Sequence, residues 1–527
     1  MIDLKEIEEI TGSDWPKAKE LIELFDKAAG SPYFDRNNLA QIAKGAFKLE
    51  LKYVPQLSAN KKALEKLPAG NLCLVSSVGM RIEPVLLNIA ILKPKSIVLV
   101  HTEESKDQVE RIKSCAEWKD LFNKKAPFTV EIEIDPIDTT KCYEQLANVV
   151  KRGKKSNWVI DITGGRKIMG ATLAAFGFWR RIPIVYLNAV EVAGIAKPFS
   201  ERLHQIENPY DRYGDPLLKA AEDAFNNHQF AIAIHALEEL RTTVSVIGLD
   251  HLASVAIEII ECYMLWDRFE HSNDKKEQAE RFYKKFYNAV EQYHRFDYRF
   301  LNGDIEKNQN FIKDLEESYK ERVSICDEYR LADIFCNALR KAEQNLFDDA
   351  VARLYRCSEM AATILLKELV PEFNPSDANW DMLREKFPAI DLDQIFKEKS
   401  KDAPDKIEGL PTTSRLGLAQ QITLAATLAE AIEQTKGELD DALQETINNA
   451  HKVYEIYREA KKDEDKDKDP FALRNQTILA HGTKPANRQL YEKFKGTIAL
   501  ICECVVTRER WNSLIKQATF PAMRLIG

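Results

Sequence analysis

Along the 527-residue chain the spacing of apolar positions changes character twice. In residues 1–65 apolar side chains recur every three or four positions, as in "DLKEIEEI", "DWPKAKELIELFDKAA" and "NNLAQIAKGAFKLEL". That is the period of amphipathic helices, and nothing in them carries an identifiable chemistry. From about 70 to 190 short, nearly continuous apolar runs appear at Leu72–Ser76, Ser96–His101, Phe128–Ile134, Trp158–Ile162 and Ile182–Leu187. Helical patterns separate them, among them "EPVLLNIAIL", "SKDQVERIKSCAEWKDLF" and "TTKCYEQLANVVKR". Strands apolar on both faces, alternating with helices, predict a parallel sheet covered on each side, which is a Rossmann-like domain. After "NPYDRYGDP" the strand pattern ends and the remainder reads as helical. The expected fold class is therefore α/β plus all-α. A helical extension occupies 1–65, the Rossmann-like domain 66–205, a helical connector 206–345 and an all-helical domain 346–527.

Composition narrows the class. With 45% hydrophobic and 30% charged residues the chain is ordinary for a soluble globular protein. The longest apolar run, "GTIALICECVV", is about half of the ~20 residues a membrane span needs and contains a Glu. The acidic start "MIDLKEIEEI" lacks the basic and apolar regions of a signal peptide, so a cytoplasmic protein with no membrane contact is expected. Nine scattered cysteines, with Cys502 and Cys504 too close for a zinc knuckle, read as free thiols in a reducing compartment. A net charge of −8 argues against stable DNA binding and leaves room for transient RNA contact at a local basic site.

Two stretches carry candidate chemistry. In "NWVIDITGGRKIMG" a strand runs into a glycine turn and then a helix. Gly164 and Gly165 let backbone approach a ligand, Thr163 offers a hydroxyl, Arg166 and Lys167 offer charge, and the helix start offers free N–H groups. "SSVGMRIEP" after the first strand presents Ser76, Ser77 and Gly79 in the same way. Neither loop matches a dinucleotide fingerprint or a P-loop, and the residues alone leave the turn open between a packing corner and a ligand cradle. The second stretch is "DPFALRNQTILAHGTKP". Asp469 as N-cap, Pro470 at the first helical position, and Gly482 with Pro485 at the far end predict a helix over 470–481. On such a helix Arg474 and His481 would lie about 20° apart on one face and roughly 10 Å apart. There they suit metal-free phosphodiester cleavage: His481 moves protons, Arg474 binds phosphate bidentately, and Asn475 orients. A helix C-terminus near His481 would favour the imidazolium. No carboxylate cluster of two-metal type accompanies them, so no metal is expected.

Other residues read as structural. Arg353, Tyr355 and Arg356 in "VARLYRC" are expected to be helix-packing and surface residues. His228, His235 and His251 lack ligand-like spacing, and the aromatics between Arg281 and Phe300 have the spacing of a packed helix face.

"LVSSVGMRIEPVLLNIAILKPKSIVLVHTEES" followed by "DITGGRKIMGATLA" resembles the CARF domain, the Rossmann-like sensor of type III CRISPR systems. "RNQTILAH" in a helical C-terminal domain is similar to the R-x(4–6)-H signature of HEPN ribonucleases. The paired resemblance implies a CARF sensor at 66–205 and a HEPN ribonuclease at 346–527, joined by the connector. It further implies a homodimer whose activator is a cyclic oligoadenylate, the tetra- or hexa-adenylate, and whose substrate is single-stranded RNA. By the same resemblance Ser76, Ser77, Val78, Gly79, Met80 and Thr102 bind the activator from one side. Thr163, Gly164, Gly165, Arg166 and Lys167 do so from the other, and Arg474, His481 and Asn475 are catalytic. Arg166 departs from the family, where a threonine is common. Three alternatives accompany this reading: a sensor whose helical half binds RNA or protein without cutting, a sensor that also cleaves its activator through Lys167 and Ser76, and an unrelated Rossmann-type metabolic enzyme. The missing nucleotide fingerprints and the long helical tail count against the last.

Overall fold

The computed structural model describes residues 2–115, 127–135, 137–152, 157–244, 248–272, 276–302, 305–321, 327–401, 410, 415–435, 439–461, 469–480 and 482–526. Contacts group the chain into two units, Met1–Gly214 and Asp215–Gly527, where the sequence pattern suggested four segments.

In the first unit β1 (Leu72–Ser77), β2 (Ser96–His101), β3 (Phe128–Glu133), β4 (Asn157–Asp161), β5 (Ile184–Asn188) and β6 (Arg202–Ile206) form one sheet. Their order is β3-β2-β1-β4-β5-β6, with β1 to β5 parallel and β6 antiparallel to β5. The pattern of apolar runs foretold the parallel strands. It missed β6, whose "RLHQI" buries only Leu203 on the edge of the sheet. Strand order reverses between β1 and β4, so their C-terminal loops bound the crevice where open parallel sheets hold ligands.

Alternate residues of β1 feed two cores. Leu72 and Leu74 pack with α5 (Glu83–Leu92), while Cys73 and Val75 pack with α7 (Thr139–Arg152) and α8 (Lys167–Arg180). Near-continuous burial of strands follows from that double cover. The N-terminal helices α1 (Leu4–Thr11), α2 (Trp15–Ala29), α3 (Arg36–Tyr53) and α4 (Ser58–Glu65) share the first core through Ile7, Ile22, Leu51 and Leu64. Asn60, fully buried, fixes α4 to β6: its Nδ2 donates to the Val54 carbonyl at 2.8 Å and its Oδ1 accepts the Leu203 N–H at 2.8 Å. Residues 1–65 are thus part of this unit's core. Between α5 and α7, α6 (Lys106–Lys113) ends with Ser114 as its C-cap, inside the helix expected over 105–122; residues 116–122 of that stretch lie outside the described residues.

The second unit has one core running from Leu218 to Met523, across the boundary expected at 345. Helix α9 (Asp327–Glu343) packs on α10 (Phe347–Leu369), which also meets α13 (Arg488–Val505); α11 (Asp441–Lys461) and α12 (Pro470–Asn475) pack on α13. The unit is not wholly helical: Ala522–Met523 pairs antiparallel with Leu301–Asn302, and Asn226 Nδ2 donates to the Met523 carbonyl at 2.9 Å. Two-residue strands leave no pattern in a sequence. The aromatic stretch packs as its spacing predicted, with Phe282, Tyr283, Phe286, Tyr293 and Phe300 buried. Among the described residues no helix is long and apolar enough to cross a membrane, and the described cysteines are free thiols.

Candidate functional site

At the carboxyl ends of β1 and β4 the two loops meet within one chain. Register sets Ser76 beside Asp161, and Ser76 Oγ donates to Asp161 Oδ2 at 2.6 Å with both residues fully buried. Asp161 Oδ1 accepts the Thr163 N–H at 2.8 Å and also the Thr163 hydroxyl. Thr163 Oγ1 in turn accepts from the Leu187 N–H at 2.8 Å and from Asn88 Nδ2 at 3.3 Å. Burial pushes the Asp161 carboxyl above the usual carboxylate range, against the pull of these donors. Ser77 Oγ donates to the Gly164 carbonyl at 2.6 Å. A Cβ on Gly164 would lie 2.3 Å from the Ser77 carbonyl oxygen, and one on Gly79 would lie 2.8 Å from the Gly165 nitrogen. Gly165 adopts φ +77°. Loop-to-loop contact, with that positive φ, is what requires glycine here.

The candidate ligand residues therefore divide. Ser76, Ser77 and Thr163 direct their hydroxyls inward to hold the loops. Val78 is fully buried and its N–H donates to the Val100 carbonyl at 2.8 Å, while buried Thr102 caps the turn at Glu103–Ser105. Gly165, Arg166, Lys167 and Met80 face solvent. Arg166 pairs with Glu104 across the crevice mouth. Lys167 opens α8, whose first N–H groups and positive dipole end suit a phosphate.

Beside the loops lies a cleft of about 720 Å³. Its walls are the glycine turn, the β1 loop, the end of β5, the hairpin Glu191–Val192/Ile195–Ala196, and α3 of the N-terminal segment. Glu50 and Glu201 reach it, only 5% and 4% exposed. Glu50 Oε1 accepts the Phe199 N–H at 3.1 Å. Among the described residues no hydrogen-bond partner reaches the buried Glu201 Oε2. Burial, reinforced by the charge of Glu201, holds Glu50 well above the usual range, and burial takes Glu201 to about 7.

In the helical unit Asp469 and Pro470 start α12 as expected: Asp469 Oδ1 accepts the Phe471 N–H at 2.8 Å. Phe471 anchors the helix edge-on to Tyr457 and Phe494, with ring centroids at 5.0 and 5.1 Å. The helix ends at Asn475, well short of the expected 481. Thr477 explains the stop: its N–H and hydroxyl both return to the Arg474 carbonyl, at 2.9 and 2.8 Å. The chain then folds back, pairing Thr477 with Lys484, and a Cβ on Gly482 would sit 1.9 Å from the Gln476 carbonyl oxygen. The one-face alignment of Arg474 with His481, and the dipole argument for a protonated His481, fall with the shorter helix. His481 lies outside the described residues. Arg474 lies flat on Tyr355 of α10, its guanidinium carbon 3.8 Å from the ring centroid, and donates to Asn475 Oδ1 at 3.1 Å. Arg353 and Arg356 turn instead to Asp349 and Glu359, at 2.7 and 3.0 Å.

Sequence reasoning read Tyr355 as a helix-packing or surface residue, because no local pattern ties it to Arg474. It also passed over Asp161, although Asp followed two residues later by Thr is an Asx-turn signal. Glu50 left a trace, falling one turn after buried Ala46 on the apolar face of α3.

A sheet-crevice sensor unit with a glycine-built mouth, together with a helical unit presenting an arginine on a surface turn, defines a ligand-sensing protein with an effector half. Residues 82–198 match the family model of the Card1 CARF domain, and residues 320–505 match that of the Csm6 HEPN domain. The two matches give the chain a CARF sensor domain followed by a HEPN ribonuclease domain, the pairing of cyclic-oligoadenylate-activated ribonucleases in type III CRISPR defence. No curated protein sequence matches it. Among solved structures it is similar to Enterococcus italicus Csm6 bound to cyclic hexa-2′-fluoro-hexa-dAMP. That similarity covers 85% of this chain and 100% of that one, at 11% identity and a TM-score of 0.40.

Proposed function

We propose that two copies of the chain act as a cytoplasmic homodimer, in which cyclic tetra- or hexa-adenylate bridges the Gly79–Met80 and Thr163–Lys167 loops of both. Activator binding then licenses metal-independent cutting of single-stranded RNA in the helical units. Arg474 carries this reading: a guanidinium held face-on by Tyr355, half-buried on a HEPN-matched surface, is prepared for a phosphate rather than for a salt bridge. The ribose 2′-oxygen attacks the adjacent phosphorus; the new O–P bond forms as the bond to the 5′-oxygen breaks. The 2′-proton is lost and the leaving 5′-oxygen gains one, a transfer we assign to His481. Arg474 neutralises charge on the non-bridging oxygens, and Asn475 sets the guanidinium plane through its Oδ1 contact. The ends formed are a 2′,3′-cyclic phosphate, or the 3′-phosphate it opens to, and a 5′-hydroxyl. Among the described residues no group of three or more His, Cys, Asp or Glu side chains is placed to hold a metal.

The test is cleavage of a labelled single-stranded RNA with cyclic oligoadenylates of different ring sizes, with and without EDTA. Arg474→Ala and His481→Ala should each slow activated cleavage by about 10²-fold or more. Undiminished cleavage in both variants refutes the catalytic assignment, and EDTA sensitivity refutes the metal-free one.

A further inference from the structure

The cleft beside the glycine loops has a wall and a floor that the loops themselves do not supply. The wall is apolar: Ala40, Ala43 and Phe47 of α3 and Tyr186 and Leu187 of β5 line the cleft. Its buried carboxyl groups are Glu50 and Glu201, and among the described residues no donor reaches Glu201 Oε2. Gly79 and Gly164–Gly165 of the two loops line it too. The volume, about 720 Å³, lies in the range of small-ligand sites. An acidic floor could suggest a cation. Lys44 and Arg81 also line the cleft, however, and among the described residues no carboxylate trio is placed to hold a metal.

A protonated carboxyl beside a second carboxyl presents an O–H donor next to an acceptor oxygen. That pair is complementary to the adenine edge, whose N1 accepts and whose N6 amine donates. An apolar lining that includes two aromatic rings, Phe47 and Tyr186, suits the face of a base. Resting on the reading that cyclic oligoadenylate binds at the glycine loops, we propose that this cleft seats one adenine base of the activator. Phe47 and Tyr186 enclose the base, the Glu50–Glu201 pair reads its edge, and the N-terminal helices form the outer wall. The segment 1–65, which carries no legible motif, thereby becomes part of the sensor. Its position is preformed, because Glu50 also holds the Phe199 N–H and Asn60 pins α4 to β6.

The experiment measures affinity of the full chain for cyclic tetra- and hexa-adenylate, with melting temperature as the folding control. Glu201→Gln keeps a donor and an acceptor and should bind within about threefold of wild type. Glu201→Met removes both and should weaken binding at least about tenfold. Ala43→Trp fills the cleft from α3 and should weaken it further. A cyclic oligoadenylate carrying 8-azidoadenine should photo-crosslink to the peptide containing Ala40–Phe47, a readout independent of any variant. If wild type binds the activator while Glu201→Met and Ala43→Trp bind equally well and crosslinks fall only outside α3, the base pocket is overturned and the activator reading stands. If wild type binds neither ring, both are overturned.

Discussion

Replacing Tyr355 tests whether Arg474 is positioned for chemistry or merely packed. The guanidinium carbon stands 3.8 Å from the ring centroid, close enough for full cation–π contact, and the pair is half-buried. Such a contact contributes about 1–2 kcal/mol when partly desolvated. Without the ring, Arg474 keeps only its bond to Asn475, an exposed neighbour, and regains rotamer freedom. If the whole of that energy orders the guanidinium for the transition state, Tyr355→Leu should lower the single-turnover cleavage rate by about 5- to 30-fold at saturating activator. RNA affinity and melting temperature should change little, because Tyr355 is half-buried at the edge of the core rather than within it. Tyr355→Phe keeps the ring face and should stay within about threefold of wild type. Arg474→Lys keeps the charge but loses the planar fork and should fall well below Tyr355→Leu. The reasoning fails if Tyr355→Leu cuts at the wild-type rate, or if Tyr355→Phe is as damaged as Tyr355→Leu.

Two further outcomes follow from other contacts. Gly482→Ala would place its Cβ 1.9 Å from the Gln476 carbonyl oxygen, so the turn after Arg474 must rearrange. RNA cleavage should drop at least about tenfold while activator binding, measured by calorimetry, stays unchanged. For the Glu50–Glu201 pair the folded-state pKa values lie above the unfolded value of a glutamate, so the associated stability is present at low pH and lost as pH rises toward 7. Glu83, Glu191, Lys44, Arg81 and Arg202 are the charged groups around the pair. Differential scanning calorimetry from pH 5 to 8 should show wild type losing stability relative to Glu201→Gln, by on the order of a few kcal/mol. Parallel curves for the two proteins would contradict the buried proton.

How far the sequence could be read depended on whether a feature was local. The β1–β5 runs and α5 were legible because burial on both faces writes itself as consecutive apolar residues, as at Leu72–Val75. The start of α12 was legible because Asp469 caps it through its own side chain. The end of that helix was not, since Thr477 stops it by a bond that Thr makes in some helices and not in others, and Gly482 acts only once the chain has turned back. Contacts across long separations left still less trace. Nothing near Arg474 announces Tyr355, and nothing near Glu201 announces Glu50.

The glycine turn shows what such distant contacts change. Read as a string, Ser76, Ser77 and Thr163 are hydroxyls available to a phosphate. In the fold each is committed: two to Asp161 and one to the Gly164 carbonyl. Buried Asp161 would be costly without those donors, so turning a hydroxyl outward toward ligand would leave a buried carboxyl short of a partner. On the proposed activator reading, phosphate recognition at this mouth would fall to backbone N–H groups and to Lys167 and Arg166, and Arg166 would first have to release Glu104. Backbone donors recognise any phosphodiester ring alike, so discrimination among activators has to come from contacts to the bases. The cleft walled by α3 lies where such contacts can be made, which is the physical reason to look for selectivity in residues 1–65 rather than in the loops.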